Sequence, residues 1–295
     1  VKSQLLFPSI FKLIGVILLL PGLIFGYLFE FQGYVPSFLR YGTNRGWEGA
    51  DNFTDELVIT FIVTGLLFIG FSKIKNESDT TVRLRLNALY WAVLVNCVLV
   101  ITYFAFGLLG ELFQISFIKK TADVGAYFIK YNFLIPLPIF ISRFYFLLYR
   151  SKQKRKSSQL YFINYGLYTL IGKIIAMPFI AIAISAVILF AMSIGTVWGI
   201  DVVYGALASL PFLLFWIWSK EKNEIAIIRN TRLKAMQVAV CINYFLFLAC
   251  TWVIYGSDYL IAMSTCIISI QIIFLFVFYY KLYRLKNKRS ENLIT

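Results

Sequence analysis

Histidine is absent from the 295 residues. That removes the commonest general base and the commonest metal ligand. Charge is scarce as well: 14% of residues are charged, where a soluble domain carries about 25%. The four cysteines, Cys97, Cys241, Cys250 and Cys266, form no CxxC pair and lie inside apolar runs, so they read as buried thiols acting as small hydrophobes. No GxSxG, Walker, HExxH or metal-spaced acidic pattern occurs. These gaps lead to expectations of no catalytic residue, no metal, no cofactor and no enzyme activity.

What the chain has is hydrophobicity. Sixty per cent of residues (60%) are hydrophobic and 18% aromatic, and apolar runs of 18 or more recur, which is the mark of membrane-spanning helices. Eight spans are expected, at 9–31, 56–72, 87–110, 127–149, 166–193, 199–218, 235–256 and 259–282. The first run has no small-x-small cleavage site and echoes a run in mid-chain, so it reads as a retained helix and not a signal peptide. Basic residues follow every even-numbered span: Lys73 and Arg85 after the second, Arg150 and Lys154 after the fourth, Lys220 and Arg232 after the sixth, Arg284 and Arg289 after the eighth. The segment before span two is acidic, with Glu48, Asp51, Asp55 and Glu56. Basic loops stay cytoplasmic, so both termini are expected there; Lys119-Lys120 is the exception. The net charge of +14 then expresses topology and attraction to anionic lipid heads at the cytoplasmic face. Nucleic-acid binding is not expected.

One phrase is written twice: SKIKNE from Ser72 and SKEKNE from Ser219. Without gaps, 72–96 and 219–243 share eleven of 25 positions, among them Arg85/Arg232 and Asn96/Asn243. LIG with a proline recurs at 13–21 and 170–178, and LYRSKQKR at 148–155 returns as LYRLKNKR at 282–289. The offsets are 147, 157 and 134, and the order is the same in each half. The expected fold is therefore all-α and polytopic, with eight transmembrane helices as two parallel four-helix repeats, 1–157 and 158–295. An even number of spans per unit makes both copies enter the membrane the same way up. The changing offsets put length variation in the external loops and none in the hairpin joining spans two and three.

Within that frame a few polar residues stand out. Glu77 and Arg85 are eight residues apart, as are Glu224 and Arg232, which allows each pair to close across a cytoplasmic hairpin. Asn96 and Asn243 lie about 15 Å inside their spans at 1.5 Å per residue, near the midplane. There an amide hydrogen-bonds to a neighbouring helix or lines a site between the repeats. Arg143 sits seven residues from the end of span four, and Val277 is its counterpart. These three are candidate repeat-interface residues. LIPLPIF in span four is a candidate break. Thr54, Asp55 and Glu56 are read as capping span two; Asn52-Phe53-Thr54 is also a formal glycosylation sequon.

The run from Asn52 to Asn96, with its TDE start, FSKIK span end and RLNALYWA helix start, followed by ISRFYFLLYR from Ile141 to Arg150, resembles a family of small bacterial inner-membrane proteins of uncharacterised activity. The second half keeps SKEKNE, Arg232-Leu233 and LYR but lacks the TDE start. The resemblance implies a bacterial cytoplasmic-membrane location and no residue roles. A non-catalytic accessory, sensory or scaffold protein is the leading expectation, with the cytoplasmic hairpins contacting a membrane or cytoplasmic protein partner. The alternative is a small-solute or ion transporter or channel with its site at the repeat interface.

Overall fold

The computed structural model describes residues 5–39, 52–75, 77–114, 128, 131–152, 161–191, 207–222, 224–254 and 257–294. Among these the chain is all-helical: α1 (Ile10–Gln32), α2 (Thr54–Phe71), α3 (Asp79–Leu112), α4 (Pro136–Lys152), α5 (Leu167–Ala191), α6 (Leu210–Trp218), α7 (Ala226–Val253) and α8 (Ser257–Ile294), with 3-10 turns at Ser37–Leu39 and Asn132–Leu134. Among the described residues six apolar segments are long enough to cross a membrane: Ile10–Gln32, Thr54–Phe71, Asp79–Gly110, Asn132–Lys152, Ala226–Val253 and Thr265–Asn287. The Leu167–Ile182 part of α5 is apolar but shorter, and α6 has nine described residues. The expected start of span six at 199–206 lies outside the described residues, as do Glu48, Asp51, Lys119, Lys120, Lys130, Lys154 and Asp201.

Several helices outrun their apolar stretch. α3 begins at Asp79, eight residues before the expected span, and α8 continues to Ile294. Hydropathy marks the length that hydrocarbon imposes, about 20 residues, and backbone hydrogen bonding carries the helix past it. Span four differs in kind. The chain makes a 3-10 turn at Asn132–Leu134 and starts α4 at Pro136. Pro136 and Pro138 occupy the first turn, where their missing N–H groups have no intrahelical partner to lose. Both therefore begin a helix and kink none. At α2 the expected capping is corrected: Asn52 Oδ1 accepts the Thr54 N–H at 3.0 Å, whereas the Thr54 hydroxyl is buried without a hydrogen-bond partner.

Neighbouring helices pack as antiparallel pairs: α1 on α2, α3 on α4, α5 on α6, α7 on α8. Small residues set how closely the pairs approach. A Cβ on Gly15 would stand 2.7 Å from the Gly65 carbonyl oxygen, and one on Gly65 would stand 2.8 Å from that of Gly15. On α5, a Cβ on Gly172 would meet the Phe212 carbonyl at 2.9 Å. Such close backbone contact is how helices associate where lipid offers no hydrophobic drive. The two sets of helices meet along a seam in which α3 packs on α7 and α6, and α7 on α2. Its filling is buried and close-packed, with Ala88, Ala92, Val100, Ala239, Tyr244 and Phe274 all fully buried.

Candidate functional site: two hairpins and the seam between them

Each hairpin is tied down by the same kinds of bond. After α2 the chain turns extended at Ser72, whose hydroxyl donates back to the Phe68 carbonyl. Glu77 then accepts from three donors: the Ile74 N–H at 2.9 Å and the Arg85 guanidinium at 2.9 and 3.3 Å. Arg85 also donates to the Ser72 carbonyl at 3.0 Å and lies 4.7 Å over the Phe144 ring. Ser78 accepts the Thr81 N–H at 3.2 Å, the side-chain bond that starts α3.

The second hairpin follows α6. Ser219 Oγ donates to the Phe215 carbonyl at 2.5 Å, and Glu224 accepts the Glu221 N–H at 3.0 Å. Arg232 donates to Glu224 at 2.8 Å and to the Ile217 carbonyl at 2.9 Å. Its guanidinium lies 4.8 Å over Phe278 and 5.2 Å over Phe162. Burial separates the two pairs. The side chains of Arg232 and Glu224 are 1% and 4% exposed, whereas Glu77 keeps 17% beside an Arg85 that is 2% exposed. A buried pair of this kind must have its remaining lone pairs and protons satisfied to be tolerated, and the backbone carbonyls do part of that here. The second hairpin carries one more pair: Lys173 Nζ is 3.1 Å from Glu221, which also accepts the Tyr279 hydroxyl at 2.6 Å.

A strap closes each hairpin. Phe7 donates its N–H to the Phe71 carbonyl at 3.0 Å and accepts from the Lys73 N–H at 2.9 Å. Ile163 does the same with the Trp218 carbonyl and the Lys220 N–H, at 3.1 and 2.8 Å. These parallel bridges pin the residues just before α1 and α5 to the ends of α2 and α6. They are backbone bonds, so no residue type announces them.

The polar residues expected between the halves are not gathered in one place. Asn96 and Asn132 form a closed amide pair, donating to each other at 2.9 and 3.2 Å. Asn243 donates to Cys266 Sγ at 2.9 Å and accepts from the Ser269 hydroxyl. Each asparagine is thus turned toward its own helix's antiparallel partner, Asn96 to the turn before α4 and Asn243 to α8. The seam is bridged by the residue that follows each one. Gln271 donates to Cys97 Sγ at 2.8 Å, and the Tyr244 hydroxyl donates to the Phe133 carbonyl at 2.6 Å. One residue along a helix rotates the side chain by about 100°, enough to exchange one neighbour for another. Tyr90 adds a bond to the Ile217 carbonyl at 2.6 Å, and Gln237 one to the Leu5 carbonyl at 3.1 Å. Sequence reading named none of Cys97, Tyr244, Tyr90, Gln237 or Gln271 as bridging residues, nor Asn132 as the partner of Asn96.

Arg143 stands apart from both asparagines. Its guanidinium lies 4.6 Å over the Trp91 ring. It helps line a cavity of about 340 Å³ between α3, α4 and the residues around Tyr161 and Trp218. Among the described residues no group of three histidine, cysteine or carboxylate side chains is placed to hold a metal. Comparison with known protein families, curated proteins and solved structures finds no match to the chain.

Proposed function

We propose that this chain is a non-catalytic scaffold or sensory protein of a bacterial cytoplasmic membrane, built from two parallel four-span units, 1–157 and 158–295, with both termini and both hairpins cytoplasmic. The placement in a bacterial membrane follows the resemblance of the 52–96 and 141–150 runs. The duplication accounts for contacts that recur at the sequence offsets. Ser72, Glu77 and Arg85 make side-chain bonds that Ser219, Glu224 and Arg232 repeat 147 positions later. Phe144 and Phe278, under the two guanidinium groups, are 134 apart, as are Asn132 and Cys266, the partners of Asn96 and Asn243.

The observation that carries the scaffold reading is the rigidity built into each hairpin. A buried ion pair, a serine back-bond and a backbone strap hold a turn that a loose loop would have left solvated. The fixed surface presents exposed Lys73 and Lys75 on one hairpin, and Lys222 with Ile225 and Ile227 on the other. A held surface of cations beside exposed isoleucines suits a protein partner at the membrane face, because ordering entropy has already been lost before docking. In-cell photo-crosslinking from Lys75 and Ile227 tests this. A discrete protein adduct that vanishes when Arg232 is replaced supports it; adducts to lipid alone contradict it. The cavity beside Arg143 favours a second reading, movement of a small solute or ion along the seam, for which solute flux in proteoliposomes that Arg143→Gln abolishes would be the evidence.

A further inference from the structure

The cavity beside Arg143 has a shape that neither reading above uses. Its α3 wall is made by Asn87, Trp91, Val95 and Leu99, with Leu94 and Val98 beside them. These positions recur every three or four residues, so they form one stripe along the helix. From Asn87 to Leu99 the stripe runs about 18 Å at 1.5 Å per residue, close to one leaflet of a hydrocarbon core about 30 Å thick. Val98 and Leu99 are 42% and 41% exposed, so the apolar end opens outward. The other end is polar and aromatic. The Arg143 guanidinium rests on Trp91, and Trp218 Nε1 donates to the Tyr161 carbonyl at 2.8 Å to form the rim. Arg150, two turns on from Arg143 along α4, shares the Phe146 ring with it at 5.7 Å against 6.0 Å. Asn87 lines this same end.

A groove one leaflet long, apolar toward the midplane and cationic toward the surface, matches a lipid in outline and in charge. We infer that the cavity is a binding site for one anionic glycerophospholipid, its phosphate on Arg143 and an acyl chain along Val95 to Leu99. Guanidinium suits phosphate because its donors form a planar fork. Basic pockets between transmembrane helices are the usual seats of such headgroups. The site differs from the general attraction of a basic face for anionic lipid, since it holds one molecule at a fixed place between α3 and α4. Assigning it to the cytoplasmic leaflet rests on the orientation proposed above; the site itself does not.

The test uses the full chain in symmetric phosphatidylcholine vesicles doped with brominated phosphatidylglycerol or brominated phosphatidylcholine. Bromine quenches nearby indoles, and the difference between wild type and Trp91→Phe isolates the indole on the groove wall. The expected result is half-maximal quenching of that component at about a fivefold lower mole fraction of phosphatidylglycerol, the factor one basic residue supplies against anionic lipid. Arg143→Gln should bring the two curves together. Val98→Phe, which fills the apolar end without adding an indole and leaves Arg143 in place, should also remove the preference, so a misfolded Arg143 variant does not leave the proposal untested. Coincident curves in wild type, a preference that outlasts Arg143→Gln or Val98→Phe, or a preference abolished by millimolar inorganic phosphate would each overturn it, the last by showing a site for free anions. Because both leaflets carry the probe, the outcome is independent of topology and of the scaffold reading.

Discussion

Replacing Arg232 by methionine should be among the most damaging single changes in either hairpin. It keeps most of the side chain's length and apolar contact with Phe278 and Phe162 while deleting its charge. Glu224 is then left 4% exposed with its cationic partner gone, and removing one member of a buried pair costs about 3–5 kcal/mol. The Ile217 carbonyl loses Arg232 as a donor but keeps the Tyr90 hydroxyl at 2.6 Å, so little more is added there. The lost cation–π contacts contribute about 0.5–2 kcal/mol. Arg85→Met should cost less, about 1–3 kcal/mol, because Glu77 is 17% exposed and water can reach it. The double variant Glu224→Leu/Arg232→Met should recover most of the loss, since an apolar pair of similar volume in such a site is often neutral or better. Reversible unfolding by dodecyl sulfate in mixed micelles, followed by tryptophan fluorescence, gives the ordering. If Arg232→Met is no worse than Arg85→Met, or the double variant is as unstable as the single one, the pair is not the strut described here.

Gly65→Leu should separate α1 from α2, since even a Cβ there meets the Gly15 carbonyl oxygen at 2.8 Å; a loss of about 1–3 kcal/mol by overpacking is expected in the same titration. Asn96→Ala and Asn132→Ala should each lose about 0.6 kcal/mol, and at most 1–2, with strong coupling between them, because either change breaks the closed amide pair. A double-mutant cycle measures that coupling, and additive losses would contradict the pairing. Gln271→Leu should leave the amide pair untouched and weaken only the seam, which makes it additive with Asn96→Ala.

The all-helical architecture and the outlines of the hairpins were legible in the sequence because both rest on local rules. Apolar runs report the thickness of the membrane, and a Glu and an Arg eight apart on either side of a turn meet if the turn is tight. The helix ends beyond hydrocarbon were not legible, since α3 starts among Asp79, Thr80 and Thr81, residues that hydropathy scores as loop. The straps at Phe7 and Ile163 left no trace, because a backbone N–H and carbonyl belong to any residue. Asn132 was within reach. The offset of 134 that relates the LYR echoes carries Asn132 onto Cys266, and those two are the partners of the matched asparagines. The signal is faint because a cysteine in an apolar run reads as a small hydrophobe, and Asn132 sits next to a proline-rich stretch. The seam is less legible still: its bridging residues one step along from the matched asparagines, Cys97 and Tyr244, differ in type, so the repeat does not mark them.

The central claim is that both halves stand the same way up. A cysteine-free variant carrying one new cysteine, Lys75→Cys on the first hairpin or Lys222→Cys on the second, decides it by labelling with a membrane-impermeant thiol reagent. Both hairpins should be protected in intact cells and labelled in inverted membrane vesicles. Labelling of one hairpin from outside and the other from inside would mean oppositely oriented halves and would contradict the parallel arrangement.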